Sequence, residues 1–164
     1  MARGRELDPI DRNIVCLLAS DARLSYAELG RKFGLSPSAV AERVHQLESE
    51  KIILGYRAQL DEKAFGYSVV AFIRLTCDNN HYRPFLKFLP SIDAVQECHH
   101  ITGGDAFLIK VTLPSIDLLE PLIERLLPYG MPTTSVVLST PVNRQQEAWL
   151  LKHAGLSNSL KQII

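Results

Sequence analysis

Over the first sixty residues the apolar positions recur at intervals of three and four, the spacing of one helix face; beyond residue 66 they alternate or run together as strands do. Residues 9–20 put Ile10, Ile14, Leu17 and Leu18 on one face, and Asp8-Pro9 supplies an N-cap followed by a proline whose missing N–H costs nothing there. Ser25-Tyr26-Ala27-Glu28 has the form of a capping box and opens a short second helix that stops at Gly34. Ser36-Pro37 repeats the cap-plus-proline signal and opens a third helix to about residue 49, with Val40, Val44 and Leu47 as its apolar stripe. Two short helices joined by a glycine-containing turn and preceded by a supporting helix predict a helix-turn-helix. Residues 51–60 read as a β-segment beside it, giving a winged type of domain.

From residue 67 the predicted elements alternate. Residues 67–77 form a β-branched and aromatic strand, 81–89 a short helix, 94–101 and 106–113 two strands around Thr102-Gly103-Gly104-Asp105, 116–127 a helix and 133–141 a last strand. The order βαββαβ predicts a ferredoxin-like sheet with two helices on one face, so the fold class is α+β. The expected domains are 1–60 for the helix-turn-helix with its β-linker, 61–66 for a linker, 67–142 for the ferredoxin-like domain, and 143–164 for a partly helical tail carrying Trp149.

Composition changes this picture little. The longest apolar run, residues 14–19, is far short of the roughly 18 residues of a membrane span, and Met1-Ala2-Arg3-Gly4-Arg5 leads into acidic residues rather than an apolar stretch, which argues against a secretory signal. Three widely spaced cysteines, Cys16, Cys77 and Cys98, fit reduced thiols and a cytoplasmic setting better than a disulfide framework. The 18 Lys and Arg balance the 18 Asp and Glu, which weighs against a nucleic-acid partner until the charge is read locally. Between residues 23 and 57 six basic residues (Arg23, Arg31, Lys32, Arg43, Lys51, Arg57) face four acidic ones (Glu28, Glu42, Glu48, Glu50), a surplus of +2. Neutrality therefore predicts weak DNA binding by one domain and useful binding only by an assembly that presents several.

The residues now resemble a known family. Leu7-Asp8 with Asp11-Arg12, Asp21-Ala22-Arg23, Glu28-Leu29, Gly34-Leu35-Ser36 with Ser38, Arg43-Val44 with Leu47-Glu48, Ile53 with Gly55-Tyr56, and Thr102-Gly103-Gly104-Asp105 stand in the order found in the Lrp/AsnC, or feast/famine, transcriptional regulators. The resemblance covers about residues 6–142. It implies DNA binding through the helix-turn-helix, a C-terminal RAM domain that binds a small effector, usually an amino acid, and a homodimer that assembles further into a tetramer or octamer. It implies no cofactor and no enzymatic activity. Two alternatives share the outline: a modified-tetrapyrrole decarboxylase, whose arginine- and histidine-rich signature is not evident here, and an effector-free architectural DNA-binding protein.

Site residues follow from both readings. The second helix of such a pair enters the major groove, so the outward residues Ser36, Ser38, Ala39, Glu42 and Gln46, with Arg43 at the edge, are the expected DNA contacts, joined by Lys32 and Arg57 on phosphate. Glu42 can accept from cytosine N4 or pair with a nearby cation, and both stay open. As a plain turn, Gly103-Gly104 is a tight hairpin; as a site, it lets a ligand approach backbone N–H groups while Asp105 holds an ammonium group. The resemblance favours the site, with Thr102, Gly103, Gly104 and Asp105 as effector contacts and Thr133, Thr134 and Ser135 completing it from a neighbouring subunit. Cys98-His99-His100 invites a metal, but alternation along a strand sends His99 to the opposite face from the other two, so no metal site is expected. Redox sensing by Cys98 stays open.

Overall fold

The computed structural model describes residues 7–104 and 106–142, and divides the chain into two compact units that meet in sequence between Gln59 and Leu60. In the first, α1 (Pro9–Ser20), α2 (Tyr26–Phe33) and α3 (Pro37–Ser49) enclose Ile14, Leu17, Leu18, Leu29, Val40, Val44 and Leu47. Each start is locally encoded. Asp8 accepts the Asp11 N–H at 2.7 Å. Ser25 and Glu28 close a reciprocal capping box, and Ser36 Oγ accepts the Ala39 N–H at 3.2 Å. Gly34 ends α2 in the left-handed conformation (φ 66°), where a Cβ would be strained, and both its N–H and that of Leu35 donate to the Gly30 carbonyl.

The β-segment expected at residues 51–60 does not form. This stretch carries no strand; Lys51 turns at φ 60° and Gly55 at φ 151°, and Ile52 and Ile53 pack on the helical core instead. A strand needs a neighbour to bond to, and no other strand lies in the described residues of this unit.

The second unit runs Leu60–Pro141. A one-turn 3₁₀ helix at Glu62–Phe65 leads into β1 (Val69–Thr76), α4 (Asn79–Phe88), β2 (Val95–His100), β3 (Phe107–Leu113), α5 (Leu119–Leu126) and β4 (Met131–Val136). The sheet order is β2-β3-β1-β4 with every pair antiparallel, the ferredoxin-like arrangement. Alternation along β1 is clean: Ala71, Ile73 and Leu75 are buried, and Phe72, Arg74 and Thr76 are exposed. The buried set joins Phe85, Phe107, Ile109, Val111, Leu122 and Leu126 in one core. The last strand lies earlier than the expected 133–141: it starts at Met131, opposite the last residue of β1 at Thr76, and ends at Val136, opposite Ala71. No helix of the described residues is long and apolar enough to cross a membrane.

Candidate nucleic-acid interface and effector turn

The turn between α2 and α3 consists of Gly34, Leu35 and Ser36, the first a C-cap and the last an N-cap, so two helix ends are satisfied within three residues. Burial of Val40, Val44 and Leu47 fixes which side of α3 faces the core. Ser38, Glu42, His45 and Gln46 are then exposed, Ala39 is half-buried, and Lys32 projects from the last turn of α2. The exposed groups are not all idle. Ser36 spends its oxygen on the helix cap and lies 3.0 Å from Ser38 Oγ, while Gln46 Nε2 donates to Glu50 Oε1 at 2.9 Å.

Arg43 departs most from a base- or phosphate-reading residue. Its Nη1 lies 2.7 Å from Asp8 Oδ2 and 2.7 Å from Asp11 Oδ1, on the side of α1. The Asp8 carboxyl is held below the ordinary carboxylate range by the Asp11 N–H and by the Arg43 guanidinium, against an opposing contribution from burial. Arg57 lies beyond α3 in the exposed stretch after the turn at Gly55. One member of that stretch is anchored: the Tyr56 hydroxyl donates to Glu48 Oε1 at 2.9 Å, and burial together with that carboxylate pushes its pKa up to about 12. Neither the Arg43 pairing nor the Tyr56 anchor was legible in the spacing of charges. Gly30 was missed as well, although a glycine inside a helical pattern is itself a signal of close packing.

In the second unit, Thr102, Gly103 and Gly104 form an exposed turn between β2 and β3, closed by the Ile101 N–H donating to the Ala106 carbonyl at 3.1 Å. Asp105 lies outside the described residues. Only Gly103 needs its residue type for backbone reasons (φ 119°); Gly104 has open space where a Cβ would stand. Thr133, Thr134 and Ser135 are not brought to this turn within the chain, since β1 lies between β4 and β3, the nearer strand carrying the turn, two strand spacings or about 10 Å. They do not share a face either. Thr133 and Ser135 stand opposite Arg74 and Phe72 on the exposed side, whereas Thr134 stands opposite buried Ile73 with its hydroxyl unbonded.

Cys98 stands opposite Ile109 and His100 opposite Phe107, with His99 opposite Leu108 on the other face. The His100 ring packs on Tyr82 and Phe107, and His99 Nε2 lies 3.1 Å from Glu97 Oε2. Burial raises the Cys98 thiol pKa, which disfavours the thiolate that redox chemistry needs.

Comparison with known proteins gives a consistent result. The family model of the AsnC-type helix-turn-helix domain matches residues 7–48, and that of the Lrp/AsnC ligand binding domain matches residues 70–147. The chain is 37% identical over 134 residues to the HTH-type transcriptional regulator LrpC of Bacillus subtilis, covering 82% of this chain and 93% of that protein. Among solved structures it resembles Escherichia coli AsnC (TM-score 0.80, 33% identity, 87% of this chain and 99% of that one). It also resembles a feast or famine regulatory protein from M. tuberculosis complexed with L-methionine (TM-score 0.77, 32% identity, 86% and 98%).

Proposed function

The chain belongs to the Lrp/AsnC family of transcriptional regulators, and from that premise we propose that α3 reads DNA while the turn at residues 102–105 binds an amino acid that changes its DNA affinity. The observation that carries the reading is the capped turn Gly34-Leu35-Ser36, which holds α3 with its apolar stripe inward and Ser38, Glu42 and Gln46 outward. Lys32, Ala39 and Arg57 flank these residues. The relatives are regulators rather than enzymes, which weighs against the decarboxylase alternative.

A homodimer, assembling further into a tetramer or octamer, completes the proposal. The sheet face bearing Phe72, Thr133, Ser135 and Met131 is exposed, with Met131 at 68%, and a second copy on it would remove that apolar surface from water. Two recognition helices related by a two-fold axis then favour a near-palindromic site with half-sites about one helical turn or a multiple apart. The domain limits 1–60, 61–66, 67–142 and 143–164 belong to the same proposal.

Effector binding has its own test. Thermal unfolding of the full chain is followed with each of the standard amino acids, in the native protein and in Gly104→Leu. A Cβ at position 104 meets open space on this exposed turn, so the variant should melt as the native protein does alone while filling the space over the turn. One amino acid should raise the native midpoint by about 5–10 °C at about a hundredfold excess over its Kd, and should leave Gly104→Leu unmoved. No shift with any amino acid would replace effector control by the architectural reading; an equal shift in both proteins would move the site away from this turn.

A further inference from the structure

Asp8 and Asp11 are the N-cap and third residue of α1, and Arg43 is the seventh residue of α3; all three meet at one guanidinium nitrogen. The Asp11 side chain is 2% exposed, so its carboxylate sits where charge is costly to leave unpaired, and the Arg43 contact is half-buried rather than a loose surface pair. The two helices also share an aliphatic core, to which α1 gives Ile14 and Leu17 and α3 gives Val40, Val44 and Leu47. Such packing is non-directional: it decides which side of α3 faces the core but sets the finer roll about its own axis less firmly.

We propose that Arg43, held by Asp8 and Asp11, is a positioning residue that sets the roll of α3 and does not itself contact DNA. Side chains on a helix stand about 5 Å from its axis, so a roll of about 20° carries their tips through about 2 Å. That exceeds the spread of about 0.5 Å within which a hydrogen bond keeps its geometry. A clamp at the edge of the apolar stripe therefore decides whether Ser38, Glu42 and Gln46 arrive at base edges. The inference rests on the reading of α3 as the DNA-facing helix.

Two roles for Arg43 predict opposite signs for one substitution. Asp8→Asn keeps a capping oxygen on α1 but weakens the clamp. If Arg43 read DNA, freeing it and removing a nearby negative charge would tighten binding; if it positions α3, binding of the specific site weakens. The probe is the duplex that the wild-type full chain enriches from a random-sequence library, compared with a scrambled duplex of equal length, over a range of salt. Asp8→Asn and Arg43→Met should each lose about tenfold or more in affinity for the enriched duplex, and the double variant should be no worse than the weaker single one. Affinity for the scrambled duplex should stay within about twofold and the salt slope should be unchanged.

The clamp is overturned if Asp8→Asn binds the enriched duplex as tightly as wild type or more tightly. It is equally overturned if Arg43→Met loses affinity for both duplexes and lowers the salt slope by about one, the mark of a phosphate contact. Should circular dichroism show Arg43→Met unfolded, Asp8→Asn decides alone, since the Asp8 side chain is 39% exposed and its replacement buries no new charge. Failure of the wild-type chain to enrich any duplex is a different result: it removes the regulator reading and the clamp's role with it.

Discussion

Gly30→Ala should destabilise the helix-turn-helix unit by about 2 kcal/mol and weaken DNA binding by more than tenfold, although alanine is the better helix former. A Cβ built on Gly30 stands 2.5 Å from the Leu35 carbonyl oxygen, some 0.9 Å inside ordinary contact distance. The obstacle is backbone, and backbone with little slack: the Gly34 and Leu35 N–H groups both donate to the Gly30 carbonyl, the latter at 2.9 Å. Relieving the clash means lifting the turn off α2, which breaks those bonds and moves Ser36 and the start of α3 with it. Alanine's helix propensity returns about 1 kcal/mol, and overpacking against an unyielding backbone costs about 3 kcal/mol, the upper end of the usual range, so the steric cost wins by about 2 kcal/mol. Amide exchange at Gly34 and Leu35 should accelerate in the variant while amides of β1 and β3 serve as the internal reference. Unchanged protection at Leu35 would show that the turn has room the structure denies it.

Gly130→Ala should be more damaging still, and in the other unit. Its added Cβ would run into the Thr76 carbonyl oxygen and stand 3.0 Å from the carbonyl carbon. The backbone at Gly130 is extended (φ 161°), so the cost is purely steric. Thr76 ends β1, the strand paired on both sides in the sheet, and Met131 is its partner at the first register position of β4. Accommodating a methyl group means displacing that end of β4 from β1, against a core in which Ile73 and Leu75 are fully buried. A loss of about 3 kcal/mol is expected, and with it exchange of the β4 amides at rates set by local opening. Denaturant unfolding monitored by exchange in β4 checks this; an alanine variant with native β4 protection would refute the close approach. Gly104→Ala, with open space around its Cβ, is the matched control.

These two glycines show where sequence reading stops. The helix starts at Asp8-Pro9, Ser25-x-x-Glu28 and Ser36-Pro37 were legible because each cap is written within about four residues, and the same holds for Gly34, whose left-handed conformation is a local demand. Strand limits were less legible. β4 begins at Met131 rather than 133, opposite the end of β1 at Thr76, a partner more than fifty residues away in sequence. Residues 51–60 carry strand-like side chains but have no strand beside them among the described residues of their unit, and composition alone does not supply one.

The site divides in the same way. Helical periodicity placed Ser38, Glu42 and Gln46 outward correctly, because burial of Val40, Val44 and Leu47 fixes the opposite face. The same periodicity put Arg43 at the edge of that face but could not say what it would find there, since Asp8 and Asp11 lie 35 and 32 residues away. Two-residue alternation could have separated Thr134 from Thr133 and Ser135, which the register now does. Asp105 and Trp149 lie outside the described residues.

The most direct measurement of the central claim is selection of duplexes from a random-sequence library by the full-length chain, followed by footprinting of the winner across a range of salt. A regulator of this kind should enrich a near-palindrome with half-sites one or more helical turns apart, protect both halves, and lose affinity as salt rises because phosphate contacts release counterions. Enrichment of no sequence, or binding that is indifferent to both sequence and salt, would contradict the assignment of α3 as a recognition helix.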